Sequence, residues 1–496
     1  MAVDPFDHNT VYYGCQVIFK TSNGGQSWSV ISPDLSTQDP KYIVSSGGIV
    51  GDNLGQFYGE VVFAIAPSQI QKGLIWAGTN DGKVWYTKDG GGHWNDVTKN
   101  IGNMPPLGVV TSIQPSFFDP GTAYVSVDYH LMDNRDPFIY RTTDFGATWT
   151  QIGTGIPKGP LSYIRCVAED PNKKGLLFAG TGNGLFTSPD DGAHWNPLQL
   201  GLPHAQTTWV VVQKQFHDLV VATYGRGFYI LDDITPLEQV AGQPTSPADT
   251  QLFASRGAYR FIHNGRAFVD YSLKAATKGP VQIQIADSTG AVVRELQGPG
   301  RPGLNRVAWD LKYSGPRTIL LRTIPPENPH ILEEPRFHGT DARPITHWGM
   351  SPNQEGPIVA PGKYTVKLIA DGQTYTQALE ILKDPKQGGT DAEIEASVKM
   401  QLRIRDDVNK TSDMVNQIEW MRKQLADIEG MLRSEKGKDE LLKSVQDEDQ
   451  KMQDVEYKLL SKALTTSDDK YYIAAYKVYF NLLWLNGEVG PGAGDV

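Results

Sequence analysis

The stretch TSNGGQSW at Thr21–Trp28 follows the pattern Ser/Thr-x-Asp/Asn-x-Gly-x-x-Trp, and this pattern returns three more times in the chain. The other copies are TKDGGGHW at Thr87–Trp94, TTDFGATW at Thr142–Trp149 and SPDDGAHW at Ser188–Trp195. Repetition at intervals of a few tens of residues is typical of folds in which one small structural unit is stacked many times. The pattern therefore predicts a repeat protein.

Each residue type in the pattern has a structural role. The Asp or Asn bonds its own backbone two residues on and closes a tight turn, while the opening Ser or Thr bonds backbone across the turn. The Gly adopts a positive φ that side chains resist, and the Trp is a large apolar plate suited to packing between adjacent sheets. We therefore expect structural roles for Asn23, Gly25, Trp28, Asp89, Gly91, Trp94, Asp144, Gly146, Trp149, Asp190, Gly192 and Trp195.

Apolar strands surround the turns. Two of them precede each turn, as in LIWAGTNDGKVWY, and most units have a further strand upstream, such as GEVVFAIA at Gly59–Ala66. About four strands per unit is the content of one β-propeller blade. A fifth unit, TTWVVVQ followed by DLVVATYGRGFYILDD, has no such turn and ends at Asp233. The first unit begins at a Pro-containing turn, so we expect its inner strand to be missing and residues 1–233 to form about four and a half blades.

These turns resemble the Asp-box, or BNR, repeat of sialidase-like, xyloglucanase-like and sortilin-type propellers. The runs DGGGHW, YRTTDFGATW, GLFTSPDDGAHW and VATYGRGFYILDD are similar to large secreted bacterial proteins of the sortilin-type class. Such proteins are often labelled glycosyl hydrolases from the repeat alone. The resemblance implies a secreted, periplasmic or cell-surface location. It also implies seven or more blades, so we expect another chain, a second copy or a further N-terminal segment to close the open edge.

The rest of the chain predicts two further domains. Residues 234–250 read as a Pro/Ser/Thr-rich linker, and 251–385 as a β-sandwich that resembles an immunoglobulin-like domain. The sandwich carries a long insertion at 314–358, and residues 390–487 have the apolar spacing of a helical bundle. Residues 488–496 are expected to form a flexible tail. The fold class is thus mainly β, with propeller blades, a sandwich and C-terminal helices.

Composition restricts the possible partners. The chain of 496 residues has a formal net charge of −10, which disfavours nucleic acid because phosphate binding needs a concentrated basic surface. No apolar run reaches the length of a membrane span, and residues 1–30 lack the features of a signal peptide. The insertion contains His330, Glu333, Glu334, His338 and His347 at spacings that match no ligand motif. We therefore expect no metal and no cofactor.

Polar residues on the inner strands and in the loops at one face of the propeller are the candidate site. Glu60 and Arg165 lie on predicted inner strands, Tyr224 and Arg226 lie in the turn TYGRG, and the inserted loop of the third unit holds or borders the rest: Asp128, His130, Asp133 and Arg135. Arginine, histidine and acid together suit a polar ligand such as a glycan or peptide terminus. Glu60, Asp128 and Asp133 are weak candidates for acid and nucleophile, which hydrolysis needs at roughly 5–10 Å separation. Alternatively, Arg165 pairs with Glu60, Arg226 supports its turn, and the loop is simply solvated.

Three functions stay open. The favoured one is a non-catalytic recognition or assembly protein whose propeller binds a polypeptide or glycan. The second is a glycoside hydrolase whose acidic cleft is completed by further blades or a partner. Neither the arginine triad of sialidases nor the two catalytic aspartates of xyloglucanases can be placed in the sequence. The third is a purely structural subunit of an extracellular assembly.

Overall fold

A computed structural model describes residues 1–39, 61–242, 249–325, 329–333, 339–343, 345, 354–466 and 476–490. The chain divides into two compact units, Met1–Ser246 and Pro247–Val496. Unit 1 is built from β-sheets, and unit 2 combines β-sheets with helices. The predicted fold class, mainly β with C-terminal helices, is confirmed.

Unit 1 contains a series of small antiparallel sheets that follow one another along the chain, as propeller blades do. We number them blades 1 to 5. Blade 1 contains β1 (Ala2–Asp4), β2 (Asp7–Gly14), β3 (Ile18–Thr21) and β4 (Ser29–Val30). Blade 2 contains β5 (Val62–Pro67), β6 (Ile75–Thr79), β7 (Val84–Thr87) and β8 (Asn95–Asp96). Blade 3 contains β9 (Val109–Pro115), β10 (Ala123–Asp128), β11 (Phe138–Thr142) and β12 (Thr150–Gln151).

Blades 4 and 5 complete the series. Blade 4 contains β13 (Ile164–Glu169), β14 (Leu177–Thr181), β15 (Gly184–Ser188) and β16 (Asn196–Pro197). Blade 5 contains β17 (Thr207–Gln213), β18 (Asp218–Thr223) and β19 (Gly227–Leu231), and no described residue adds a fourth strand to it. The first strands β5, β9, β13 and β17 contact one another in turn, so the blades pack in chain order.

The first blade differs from the sequence prediction. The expectation that its inner strand is missing is wrong, because β1 pairs with β2, with Ala2 opposite Tyr12 and Val3 opposite Val11. Only three residues form this strand, which is too few for a periodic pattern to reveal it. The blade that lacks a strand is the fifth.

A short helix, α1 (Thr235–Val240), lies inside the segment 234–250 that the sequence predicts to be a linker. Pro236 lies in its first turn, where the missing N–H costs no hydrogen bond. Ile234 and Ala241 at its two ends are buried in the core of blades 4 and 5. Their burial joins the helix to unit 1, whereas residues 243–248 lie outside the described residues.

The four repeated turns fold alike. In each one the opening hydroxyl accepts the Gly N–H, at 3.0 Å from Gly25 to Thr21 and at 2.9 Å from Gly192 to Ser188. The Asp or Asn Oδ1 accepts the N–H four residues on, as from His194 to Asp190 at 2.8 Å. The bond to the hydroxyl is of the kind expected from the sequence, whereas the Asp or Asn accepts an N–H four residues on and not two.

Each buried Trp of a turn lies between its own blade and the preceding one. Trp195 packs among Ile139, Ile152 and Ile156 from the blade 3 side and Leu177 and Ala179 of blade 4. A second repeat, which the sequence reasoning missed, supplies the preceding side: apolar residues occur three and seven positions after each Trp. These pairs are Ile31 and Leu35, Val97 and Ile101, Ile152 and Ile156, and Leu198 and Leu202.

Unit 2 begins with two sheets that pack face to face. One contains β20 (Thr250–Leu252), β22 (Ala267–Leu273) and β25 (Gly303–Trp309). The other contains β21 (Ala258–Arg260), β23 (Val281–Ala286), β24 (Val292–Gly298), β26 (Gly362–Ala370) and β27 (Gln373–Lys383). Val269, Tyr271 and Trp309 of the first sheet share a core with Ile283 and Val366 of the second. This arrangement is a β-sandwich.

The C-terminal part of unit 2 is helical. Its helices are α2 (Asp391–Leu432), α3 (Asp439–Leu459), α4 (Lys462–Thr466) and α5 (Val478–Val489). Thr390 and Glu393 form the predicted capping box at the start of α2. From the insertion 314–358, Ile319 and Leu321 pack against this bundle, which gives the described parts of the insertion a core of their own. Within the described ranges, none of the helices has the length and apolarity needed to cross a membrane.

Candidate functional site

The candidate site centres on Asp128, the last residue of β10, whose side chain is 2 % exposed. Its Oδ2 accepts a hydrogen bond from Nη1 of Arg165 on β13 at 2.5 Å. Its Oδ1 accepts the backbone N–H of His130 at 2.9 Å and lies 2.7 Å from Nδ1 of the same residue. The structure therefore brings together three of the predicted site residues at the junction of blades 3 and 4.

An aromatic contact fixes the histidine. The His130 ring stacks on Tyr163 at a centroid distance of 4.3 Å and an interplanar angle of 17°. Burial, and next the nearby Asp128 carboxylate, raise the pKa of the Tyr163 hydroxyl, which keeps it neutral. Tyr163 was not among the predicted site residues, because nothing in its sequence context distinguishes it from a core tyrosine.

The other predicted residues lie apart from this group or outside the described part of the chain. Asp133 and Arg135 form an ion pair with each other in the exposed loop after β10. Tyr224 and Arg226 are exposed in the turn between β18 and β19, where Arg226 bonds only the Gly225 carbonyl among the described residues. Glu60 lies outside the described residues. Arg165 thus has Asp128 as its observed partner.

The pairing of Asp128 limits its chemistry. Both of its oxygens already accept hydrogen bonds, and one of them faces a guanidinium. A general acid for glycoside cleavage needs a proton at neutral pH and free access to the leaving oxygen. Asp128 lacks this access, because its side chain is 2 % exposed. The Asp128–His130–Arg165 group instead holds the loop of blade 3 against blade 4 and presents a partly exposed imidazole and guanidinium.

Two acidic clusters were not predicted from the sequence. In unit 1, buried Asp170 lies beside Glu238 of α1, and Glu238 Oε1 is 2.7 Å from Nδ1 of His217. Burial, and also the Glu238 charge, raise the pKa of Asp170. Asp170 follows β13, His217 precedes β18 and Glu238 lies in α1. Because these three places are far apart in sequence, no local motif predicts the cluster.

The second cluster lies in unit 2. Buried Arg422 of α2 donates to Glu456 of α3 at 2.7 Å and to Glu419 at 3.2 Å. Glu419 also accepts the Thr323 N–H of the insertion at 2.8 Å. Burial, and next the charge of Glu419, raise the pKa of Glu456. Every charge has a partner on another element, so we infer that the cluster stabilises the packing of the insertion against the helices.

Blade 5 exposes an apolar sheet face, which we call the back face. Strand pairing aligns Trp209 with Ala222 and Phe228, and Val211 with Val220 and Ile230. The large residues of this face are exposed to 53 % (Trp209), 48 % (Val211), 80 % (Phe228) and 61 % (Ile230). The equivalent residues of blade 4, Phe178 and Leu185, are buried against blade 5.

Blade 1 exposes the opposite kind of face, which we call the front face and define by Tyr13, Phe19, Trp28 and Val30. Trp28 is 44 % exposed and meets Tyr13 edge-on at 6.3 Å. The corresponding Trp of blade 4, Trp195, is 7 % exposed because blade 3 covers it. The two ends of the blade series are therefore apolar and uncovered in the described residues.

No cluster of three metal-ligating His, Cys, Asp or Glu side chains occurs in the described ranges. Of the insertion residues considered for a metal, His330 lies 3.2 Å from Glu333, while Glu334, His338 and His347 lie outside those ranges.

No family model matches the chain. A curated relative is a xyloglucanase of Paenibacillus sp, 26 % identical over 178 residues. The match spans 34 % of this chain and 17 % of that protein's length.

Solved structures similar to parts of this chain include two GH74 enzymes. The GH74 xyloglucanase from Xanthomonas campestris has a TM-score of 0.36 and 16 % identity, over 54 % of this chain and 42 % of that one. The GH74 enzyme of Niastella koreensis has a TM-score of 0.32 and 12 % identity, over 76 % and 56 %. YCF48 bound to D1 peptide has a TM-score of 0.28 and 13 % identity, over 59 % and 71 %. Because these scores are low, the propeller-type blades are assigned from the strand pairing of the chain itself.

Proposed function

We propose that this chain is a non-catalytic recognition or assembly protein of the cell exterior, and that its blades are part of a larger propeller completed by a second copy of the chain. The observation that carries the proposal is the exposed back face of blade 5. Its four large side chains are two-fifths or more exposed. Strand register gives their counterparts in blade 4 as Cys166, Ala168, Leu185 and Thr187, and the first three of these are buried.

The energetics favour covering this face. Burying one large apolar side chain contributes about 1.5–3 kcal/mol, and contiguous exposed apolar patches mark interaction surfaces. Inside the chain, the back of each blade is covered by the front of the next one. The front face of blade 1 is the matching surface, because Trp28 there lacks the preceding blade that covers Trp94 and Trp195. Head-to-tail contact between two copies would cover one surface of each kind.

The turn chemistry supports assignment of the repeats to the Asp-box type. The opening hydroxyl, the acidic or amide side chain and the positive-φ glycine make the same hydrogen bonds in all four copies. These turns lie away from the Asp128 group, and we assign them a structural role only. We propose that a polypeptide or glycan ligand contacts the exposed edges of His130 and Arg165, with Arg135, Tyr224 and Arg226 as further contacts.

Light scattering on the size-fractionated chain tests the assembly. The wild type is expected to self-associate as its concentration rises from about 1 to 100 μM, and Phe228→Asp with Ile230→Asp to keep it monomeric. Leu131→Asp is the matched control, because Leu131 is equally exposed but lies in the loop after β10. A wild type that stays monomeric at every concentration would contradict the proposal.

Glycoside hydrolysis is the second candidate, and the similarity to the Paenibacillus xyloglucanase is the observation that favours it. A hydrolase would release reducing sugar from xyloglucan or another glycan of a panel. That activity would be expected to fall on Asp128→Asn or Glu60→Gln. Absence of turnover on the panel, with the self-association present, would favour the assembly protein.

A further inference from the structure

A cavity of about 110 Å³ lies between blades 4 and 5 and is partly open to solvent. Its lining is mostly apolar and includes Leu185, Leu198 and Leu202 on the blade 4 side and Leu219, Val221 and Tyr229 on the blade 5 side. An apolar cavity of roughly 150 Å³ can bind benzene, so this volume accommodates most of an aromatic ring.

The same place between the earlier blades is filled by tryptophan. Strand register aligns Leu219, Val221 and Tyr229 of blade 5 with Leu177, Ala179 and Phe186 of blade 4. Those three residues surround Trp195, together with Ile139, Ile152 and Ile156 on the blade 3 side. The lining residues Leu185, Leu198 and Leu202 occupy the positions of Ile139, Ile152 and Ile156 in the repeat. The cavity is therefore the tryptophan socket of blade 5.

A second socket of the chain confirms this correspondence. Trp94 packs with Ile18, Ile31 and Leu35 from blade 1 and with Ile75 and Ala77 from blade 2. These residues stand at the same repeat positions as the lining of the cavity. Among the described blades, only blade 5 has no Trp at this repeat position, because its sequence lacks the repeated turn.

A hydrogen-bond acceptor is in place for the indole N–H. Trp94 donates to the Ile31 carbonyl at 2.8 Å, and Trp195 donates to the Ile152 carbonyl at 2.7 Å. The equivalent carbonyl in the cavity is that of Leu198, and no described residue donates a hydrogen bond to it. This pairing favours an indole over a plain hydrocarbon ring.

The strand that normally follows the tryptophan is also absent from blade 5. In blade 4, β16 pairs with β15, and Leu198 then donates its N–H to the Leu185 carbonyl at 2.9 Å. Phe228 on β19 corresponds to Leu185, and the outer edge of β19 has no strand beside it in the described residues. An open sheet edge next to an apolar pocket is the arrangement that accepts an extended peptide as an added strand.

We propose that this cavity binds the indole ring of a tryptophan in an extended peptide, whose following residues add to β19 as a fourth strand. Specificity comes from the Leu198 carbonyl and from the apolar residue that the peptide places three positions after its tryptophan. Ile230 borders both this cavity and the back face, whereas Trp209, Val211 and Phe228 of the back face do not line the cavity. Peptide binding is therefore tested with variants other than those that test self-association.

Isothermal titration calorimetry on the full chain tests the proposal with a peptide of the sequence Ser188–Leu202, SPDDGAHWNPLQLGL, which already fits this type of socket. Saturable one-to-one binding is expected. A peptide with Ala in place of its Trp should bind at least about tenfold more weakly, since the large ring provides most of the contact area. In competition, free indole should displace the peptide. 1-Methylindole has no N–H to donate to the Leu198 carbonyl, so its affinity should be roughly fivefold lower, which corresponds to the loss of one hydrogen bond.

Two chain variants locate the site. Val221→Phe fills the cavity and should weaken peptide binding at least about tenfold, while Val211→Phe makes the same change on an exposed position of β17 and should leave it unchanged. The proposal is overturned if the peptide does not bind saturably, or if the Trp and Ala peptides bind alike. Both outcomes are read on the wild-type chain, so they stand even where Val221→Phe impairs folding.

Discussion

Trp195 donates its indole N–H to the carbonyl oxygen of Ile152 at 2.7 Å, across the junction of blades 3 and 4. This bond, together with the apolar contacts around the ring, makes the repeated turn of one blade part of its neighbour's core. Trp28 holds the same position in blade 1, where no blade precedes it among the described residues, and it is 44 % exposed. The same residue type at the same repeat position thus reports whether a neighbouring blade is present.

The two tryptophans should differ sharply in their contribution to stability. Trp195→Ala removes a buried ring and a hydrogen bond, and we expect it to lower the free energy of unfolding of unit 1 by about 3–5 kcal/mol. Trp28→Ala should cost only about 1 kcal/mol, because much of that ring is already in water. Urea unfolding of both variants checks this. Equal losses would show that blade contacts do not decide the role of the Trp.

A matched pair of glycines tests the turns. Both Gly25 and Gly192 have positive φ, at 86° and 90°, so alanine strains either turn by about 1 kcal/mol. A Cβ on Gly192 would also lie 2.6 Å from Ile152 of the preceding blade, whereas at Gly25 its nearest neighbour is the Trp28 ring at 3.9 Å. Gly192→Ala should therefore lower the free energy of unfolding of unit 1 by about 1–3 kcal/mol more than Gly25→Ala does, and thermal melts of both variants check this. Similar shifts for both would contradict the close packing.

The blades were predictable because their signals are local. Asp190, Gly192 and Trp195 lie within one turn, and alternating strands such as β17 show which side chains share a face. The three-residue β1 and the helix α1 were missed, because neither is long enough to display a period. The site was predicted in part: Asp128, His130 and Arg165 do meet, but the partner of Arg165 depends on how two blades pack. The Asp170–Glu238 pair and the empty socket arise from the same long-range packing.

Unit 1 should lose stability as the pH rises because of Asp170. Burial raises the pKa of this carboxyl from 3.8 to about 7, and Glu238 beside it adds to the shift. Asp170 Oδ1 accepts the N–H of Asn172 and of Lys173, and the nearby His217 bonds Glu238. The other oxygen, Oδ2, is buried and accepts no hydrogen bond from a described residue, so we expect it to carry the proton. The folded state keeps this proton up to neutral pH, whereas the unfolded state releases it near pH 3.8. The stability that the proton contributes is thus lost between those two pH values.

Asp170→Asn carries an amide hydrogen in place of that proton at every pH. We expect the variant to gain about 1–3 kcal/mol relative to wild type between pH 5 and pH 8. Urea midpoints of unit 1 measured at several pH values check this, and Glu238→Gln should flatten the profile in the same way. Parallel profiles for wild type and Asp170→Asn would show that Asp170 is ionised throughout.

Unit 2 depends on the buried guanidinium of Arg422. Arg422→Leu would leave Glu419 and Glu456 buried without their cation, and we expect a loss of about 3–5 kcal/mol in helix stability. Arg433→Leu is the control, because Arg433 pairs with Glu429 on the exposed side of α2 and should contribute less than about 1 kcal/mol. Thermal melts followed by circular dichroism at 222 nm measure both. A small effect of Arg422→Leu would mean that unit 2 does not depend on this buried ion-pair cluster.

Thiol labelling at Ile230 measures most directly whether a second copy covers the back face of blade 5. Ile230→Cys, compared with Leu131→Cys in the loop after β10, is treated with a maleimide over a range of protein concentrations, with the native Cys15 replaced by Ser. The account predicts that labelling of residue 230 slows at least about tenfold as the chain associates, while residue 131 reacts at a constant rate. Labelling of residue 230 that stays as fast as that of residue 131 at every concentration would contradict it.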